Sequence, residues 1–158
     1  MPLPADPSFD PRIVAFFCNW CTYTASDLAG TARFKYAANI HIVRVMCSGR
    51  VDPQFVLSAL RGGADGVLIG GCHPGDCHYQ EGNHKCLRRF HLLQRFLGQM
   101  GVEPERLRLE WIAASEAEKL QRVVDEMMAS LKELGPLELS GAIEQRQATA
   151  TPTVEGAV

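Results

Sequence analysis

Three of the four short apolar runs in this chain stop at a cysteine or a residue before one. Ile13–Phe17 (IVAFF) meets Cys18, His41–Met46 (HIVRVM) meets Cys47, and Gly66–Gly70 (GVLIG) leads through Gly71 to Cys72. The fourth, Leu107–Ile112 (LRLEWI), alternates and runs into small residues. Their length and their β-branched and aromatic content mark all four as strands. Helical patterns separate them. Asp52 and Pro53 supply an N-cap and a first-turn proline for a helix carrying Phe55, Val56, Ala59 and Leu60, which stops at Gly62-Gly63. From His84 to about Met100, Cys86, Phe90, Leu93, Leu97 and Met100 recur at helical spacing, and Gly101 ends the pattern. Ser115-Glu116-Ala117-Glu118 reads as a capping box for a last helix striped by Leu120, Val123, Met127, Leu131 and Leu134 and closed by Gly135-Pro136. Thr22 to Tyr36, interrupted by Gly30, reads as a further helix.

Strands alternating with helices predict an α/β fold: a small, doubly wound, flavodoxin-like parallel sheet of about four strands with helices on both faces. Parallel strands end on one common edge, and open sheets of this kind bind ligands in the crevice outside it. Cys18 with Cys21, then Cys47, then Cys72 with Cys77 follow the first three strands, so residues far apart in sequence converge on one rim. A site at the C-terminal edge of the strands is the expectation.

The cysteine usage sharpens this. All six cysteines of the 158-residue chain fall in its first 86 positions. The N-terminal MPLPADPSFDP lacks the basic-then-apolar order of a signal peptide, and no apolar run approaches the roughly 20 residues needed to span a bilayer. A cytoplasmic location without membrane insertion is expected, and there thiols point to metal, cluster or redox chemistry rather than to a disulfide framework. A net charge of −2 excludes nucleic acid as the main electrostatic partner. Residues 1–10 read as an N-terminal extension, 11–136 as the folded domain, and 137–158, polar and aperiodic, as a disordered tail.

Taken singly, each cysteine motif is ambiguous. CNWC (Cys18, Cys21) suits two thiolates on one metal ion or a redox dithiol. CHPGDC (Cys72, Cys77) has Pro74 and Gly75 for a tight turn, so both sulfurs could face one ion. Cys47, in MCSGR, gains meaning only beside the others. Five thiols exceed the four that a [2Fe-2S] cluster or a tetrahedral zinc site requires, which leaves one as a spare, a redox-active neighbour or a core residue. Cys86 falls on the apolar stripe of its own helix and reads as structural. His73 and His78 flank cysteines in a tight loop and read as neighbours of the site or as surface groups. His41 and His91 read as packed or solvated. Arg50 either offsets thiolate charge or is simply exposed before a helix, and Trp20 either shields a cluster or docks a partner. No dinucleotide-binding glycine motif, P-loop or nucleophile elbow is present. A cysteine hydrolase would leave four further thiols unexplained. The site chemistry thus stands between a cluster, a zinc-binding structural or adaptor module, and a thiol–disulfide oxidoreductase using Cys18 and Cys21.

The segments FFCNWCTYTASDLAGTARFKY, IHIVRVMCSGRVDPQFVLSALRGGADGVLIGGCHPGDCHYQEGNHK and WIAASEAEKL resemble the delta-subunit family of methyl-viologen-reducing hydrogenase, over about residues 11 to 135. That resemblance implies an iron–sulfur protein with one [2Fe-2S] cluster. It implies electron transfer between a hydrogenase, or an analogous formate dehydrogenase module, and the flavin-containing, electron-bifurcating subunit of heterodisulfide reductase. The family's cysteines correspond to Cys18, Cys21, Cys47, Cys72 and Cys77, four of which are expected to ligate iron, and Cys86 lies outside that set. Which of the five is the non-ligand stays open. Helix N-termini at the same edge, including the one at Pro53, would favour the reduced, more negative state. No catalysis is expected from the isolated chain.

Overall fold

The four apolar runs are the four strands of one parallel sheet: β1 (Ile13–Cys18), β2 (Ile40–Val45), β3 (Gly66–Gly71) and β4 (Leu107–Trp111). The computed structural model describes residues 9–139, so residues 1–8 of the expected 1–10 extension and residues 140–158 of the tail expected from 137 lie outside the described residues. The strand order is β2-β1-β3-β4, with Phe17 level with Gly70, Cys18 with Val45, and Gly71 with Trp111. β1 and β3 are central, which is why every residue of β3 is buried and its sequence is a continuous apolar run. β2 flanks them and exposes His41, Val43 and Arg44.

Helices cover both faces. α1 (Thr22–Thr31) and α4 (Ala117–Leu134) enclose one core, in which Ile13, Ala15 and Phe17 of β1 meet Leu120, Val124, Met127 and Leu131. α2 (Pro53–Arg61) and α3 (Gly82–Gln99) enclose the other, in which Phe16, Val67 and Ile69 meet Val56, Leu60, Leu93 and Leu97. The alternation of β1 between the two cores is the two-residue period of a strand read from both sides. The expected doubly wound, flavodoxin-like sheet is therefore present.

Local signals acted mostly as their chemistry requires. The Asp52 carboxylate accepts from Gln54 N at 2.9 Å and caps α2, with Pro53 at its first position. Two expectations shift. The helix expected from His84 begins at Gly82, and Met100 is exposed beyond its end rather than on its buried stripe. The expected capping box does not form: α4 starts at Ala117 without a side-chain cap. The Glu116 carboxylate is instead drawn back to Ala113 N (2.7 Å) and to His73. Glu118, the carboxylate of the expected motif, lies in the first turn of α4 without forming a cap.

The opposite, N-terminal edge of the sheet is tied by a polar clamp. Asp65 accepts from Arg12 N and Leu137 N, while the buried Arg106 donates to Asp65 O, Gly135 O and the Glu103 carboxylate. Leu137 and Leu139 pack against the α2–α3 core. Among the described residues, no helix is long and apolar enough to cross a membrane.

Candidate metal centre

β1 and β3 are adjacent in space, and they are the strands at which the order of the sheet reverses, so their carboxyl ends frame the crevice of this fold class. Cys18 closes β1 and Cys72 follows β3, and their sulfurs stand 3.7 Å apart. Cys21, at the N-terminus of α1, joins them: the three sulfurs lie within 4.8 Å of one another, all buried. Gly70 makes this possible, because a Cβ there would strike the Thr22 side chain and push α1 off the end of β3. Thr22 is itself buried and donates to Ile112 O.

A second group of thiols lies at the same edge. Cys47 follows β2 and opens the short 3-10 turn Ser48–Arg50, where its sulfur accepts from Gly49 N at 3.4 Å. Its sulfur is 3.9 Å from that of Cys77, from the loop after β3. Both face the N-terminus of α3, where a Cβ on Gly82 would overlap the Cys47 sulfur and stand 3.2 Å from that of Cys77. The buried Asn83 secures this junction, donating to Cys72 O and His73 O while its own oxygen accepts from His84 N. All five expected cysteines therefore sit at one edge, divided into a trio and a pair.

Their electrostatics follow from burial and from one another. The Cys21 thiol donates toward Cys18 and pulls it down to about 5, helped by the amides of Trp20 and Ser48 against the cost of burial. The same bond, with burial, pushes Cys21 far up. Burial raises Cys72, and raises Cys47 to about 11. Burial also opposes ionisation of Cys77. The amides of Asn83 and Tyr79, with Cys47 and the Gly82 amide, outweigh it and bring that thiol below its ordinary value. Amides at a helix N-terminus stabilise negative sulfur in this way. Cys86 is buried in the α2–α3 core and pushed up to about 12 by burial, as an apolar-stripe cysteine should be.

The remaining candidates separate cleanly. His73 Nε2 is 2.7 Å from Glu116 Oε2, bracing the cysteine loop against the start of α4. His78 stacks on Trp20 with ring centroids 3.8 Å apart, and Tyr79 meets His78 edge-on and approaches Trp20 Nε1 through its hydroxyl. Trp20 and Tyr79 remain 45% and 50% exposed, so this aromatic group faces outward. A cleft of about 300 Å³ beside it is lined by Trp20, Cys21, Cys72, His73, Asp76 and His78 together with Ala113 and Ala114. The Arg50 guanidinium lies over the Phe55 ring, 5.0 Å from its centroid, rather than against the thiols. His41 and His91 are solvated. Ser48, Gly82, Asn83 and Glu116 escape sequence reasoning, since each matters only through a contact between segments. A glycine at the very start of a helix was the one available hint.

Five buried thiols at the switch point of a parallel sheet define a small α/β domain built around a thiolate site, the donor set of soft-metal and cluster chemistry. Comparison with known proteins specifies the kind. Residues 13–135 match the family described as methyl-viologen-reducing hydrogenase, delta subunit, and the chain belongs to that family. It is 56% identical over 128 residues to the iron-sulfur subunit of the F420-non-reducing hydrogenase of Archaeoglobus profundus, covering 81% of this chain and 93% of that one. It is 52% identical to the iron-sulfur subunit of the F420-non-reducing hydrogenase vhc of Methanococcus voltae, covering 84% and 92%. A third relative differs in architecture. It is a subunit of the ferredoxin/F(420)H(2)-dependent CoB-CoM heterodisulfide reductase of Methanosarcina acetivorans, 46% identical over 92% of this chain, which spans only 18% of that protein.

Proposed function

We propose that this chain is an electron-transfer subunit that holds one [2Fe-2S] cluster, and that residues 11–136 form the domain that carries it. The observation that carries the reading is the spacing of two thiol pairs. Two thiolates on one tetrahedral ion, each bonded at about 2.3 Å, stand about 3.8 Å apart. Cys18 and Cys72 are at 3.7 Å, and Cys47 and Cys77 at 3.9 Å. Each pair suits one iron, with the helix N-terminus at Gly82 and the Cys18-directed amides offsetting the thiolate charge. Cys21 is then the fifth thiol, a hydrogen-bond donor beside Cys18 rather than a ligand. When bound, such a cluster accepts and releases one electron. The chain's own residues exclude water around the sulfurs and supply amides to them, which sets how readily that electron is taken up.

The electron is passed between a hydrogenase, or a formate dehydrogenase module, and the flavin-containing subunit of a heterodisulfide-reductase-type complex, in the cytoplasm. The relatives' names support both ends of this path. In the M. acetivorans relative and its Methanosarcina mazei counterpart, the segment similar to this chain belongs to a much longer heterodisulfide reductase polypeptide. A domain fused to that polypeptide in one lineage is a natural docked partner of it in another.

A dithiol oxidoreductase is favoured by one feature, the opposed shifts of Cys18 and Cys21 within C-x2-C. Exchange requires the attacking thiolate to reach a substrate sulfur, and Cys18 is 1% exposed. The test is anaerobic purification followed by visible absorption and by iron and acid-labile sulfide analysis. About two irons and two sulfides per chain are expected. Zinc without sulfide, or dithiol cycling by metal-free protein, overturns the reading.

A further inference from the structure

The two helix layers of this domain differ in charge. α3 carries Lys85, Arg88, Arg89 and Arg95 and no carboxylate over its whole length, and α2 in the same layer adds Arg61, again without an acid. α4, equally long on the opposite face, interleaves acids with its bases. In a chain of net charge −2, positive charge is thus gathered on one side. Arg89 is occupied, donating to Gly49 O and Val51 O. Arg88 and Arg95 are exposed, about two turns apart, and form no ion pair among the described residues. The nearest carboxylates in sequence are engaged elsewhere: Glu81 reaches Lys85 at 3.9 Å, and Glu103 is held by Arg106. Leu92 lies between the two arginines on the same face and is 69% exposed, with Phe96 one turn on also uncovered. An apolar strip edged by unpaired cations therefore faces solvent, while the helix's other stripe is already buried in the core.

We infer that the outer face of α3 docks an acidic protein surface, and that its occupant is the heterodisulfide-reductase-type subunit with which this chain exchanges electrons. The inference rests on the electron-transfer reading above. Charge complementarity selects an acidic partner and steers its encounter, while Leu92 and Phe96 supply apolar area for it to cover. The relatives favour a protein over a lipid surface. In two of them the segment similar to this chain is 18% and 17% of a heterodisulfide reductase polypeptide, so the rest of that polypeptide always accompanies it. The position of the face fits this role. α3 starts at Gly82, against the Cys47 and Cys77 sulfurs, and Arg88 stands about 9 Å along the helix axis from it. A partner seated there lies beside the thiol site.

The test measures binding of the anaerobically purified full chain to the heterodisulfide-reductase-type subunit of the same organism over a range of salt concentrations. Parent and Arg88→Glu/Arg95→Glu are compared with Arg122→Glu/Lys132→Glu, a matched reversal on α4, and iron content is followed in each. The expected result is parent binding that weakens as salt rises. The α3 variant should keep parent-level iron and bind about tenfold or more weakly at low salt, the difference shrinking at high salt. The α4 variant should bind like the parent, and Leu92→Ser should weaken binding at every salt concentration. Should the α3 variant lose iron, the parent's salt dependence and Leu92→Ser decide. Parent-level affinity in the α3 variant, salt-independent binding by the parent, or equal losses in both reversals overturns the inference. So does binding through this face to the hydrogenase subunit alone, or to vesicles of phosphatidylcholine and phosphatidylserine in place of the protein. A sulfide-free parent that still binds through Arg88 and Arg95 supports the docking face and overturns only the iron–sulfur reading.

Discussion

Gly82 passes so close to Cys47 that a Cβ at this glycine would overlap the cysteine's sulfur. The first turn of α3 is thereby pressed against the thiol pair, and its amides reach Cys77. The same residue lies against Gly49, where a Cβ would stand 2.8 Å from the Gly82 backbone. Two segments meet here with no room for a side chain from either.

Gly82→Ala is therefore expected to displace Cys47, to lower iron content well below the parent's, and to cost about 1–3 kcal/mol of stability as overpacking. Metal analysis and urea denaturation check this together. Parent-level iron in Gly82→Ala would show that the close approach is not needed to hold the site.

The thiols themselves should separate by group. Cys47→Ser and Cys77→Ser remove half of the only pair on their side and should lose most bound iron, as should Cys18→Ser and Cys72→Ser. Cys21→Ser and Cys86→Ser should retain it, the first because Cys18 and Cys72 complete the other pair, the second because Cys86 belongs to the core. Visible spectra of the six variants decide. A loaded, spectrally normal Cys47→Ser or Cys77→Ser would remove that residue from the ligand set.

Glu116 should add a small acid-sensitive contribution to stability. The Ala113 amide and His73 hold its carboxyl below the ordinary value of 4.5, so the folded state favours the ionised form. The contribution is present above the unfolded-state value and is lost as pH falls through the lower folded one. The side chain is 35% exposed, so solvent screening limits the effect to about 1 kcal/mol or less. Denaturation midpoints between neutral and acid pH should fall less steeply for Glu116→Gln than for the parent. Identical slopes would refute the coupling.

Arg106 lies at the other end of the sheet and should affect stability alone. Arg106→Ala removes the donor to Asp65 O and Gly135 O and should cost about 3 kcal/mol, leaving buried carbonyls unpaired. Iron content of the folded fraction should match the parent's. A selective loss of iron would mean that the clamp reaches the thiol edge.

Much of the fold was legible because strand ends, the Asp52-Pro53 start and the stripes of α3 and α4 are local signals that the core reinforces. The capping box at Ser115 was misleading because α4 starts one residue later than that motif requires, at Ala117 after Glu116; Glu116 is held by the Ala113 amide and by the His73 ring, forty-three residues away. His73 in turn was legible as a neighbour of the site, though not as a brace between the cysteine loop and α4.

By itself the sequence determined that five thiols would reach one edge, since a cysteine after a strand of a parallel sheet has nowhere else to go. It also determined that Cys86 would be buried, from its place in a helical stripe. Only the tertiary structure decided that the five divide into a trio and a pair and that Gly82 must lack a side chain. Those facts depend on how closely α1 and the start of α3 approach the strand ends. That distance is set by packing between segments, which no local pattern encodes.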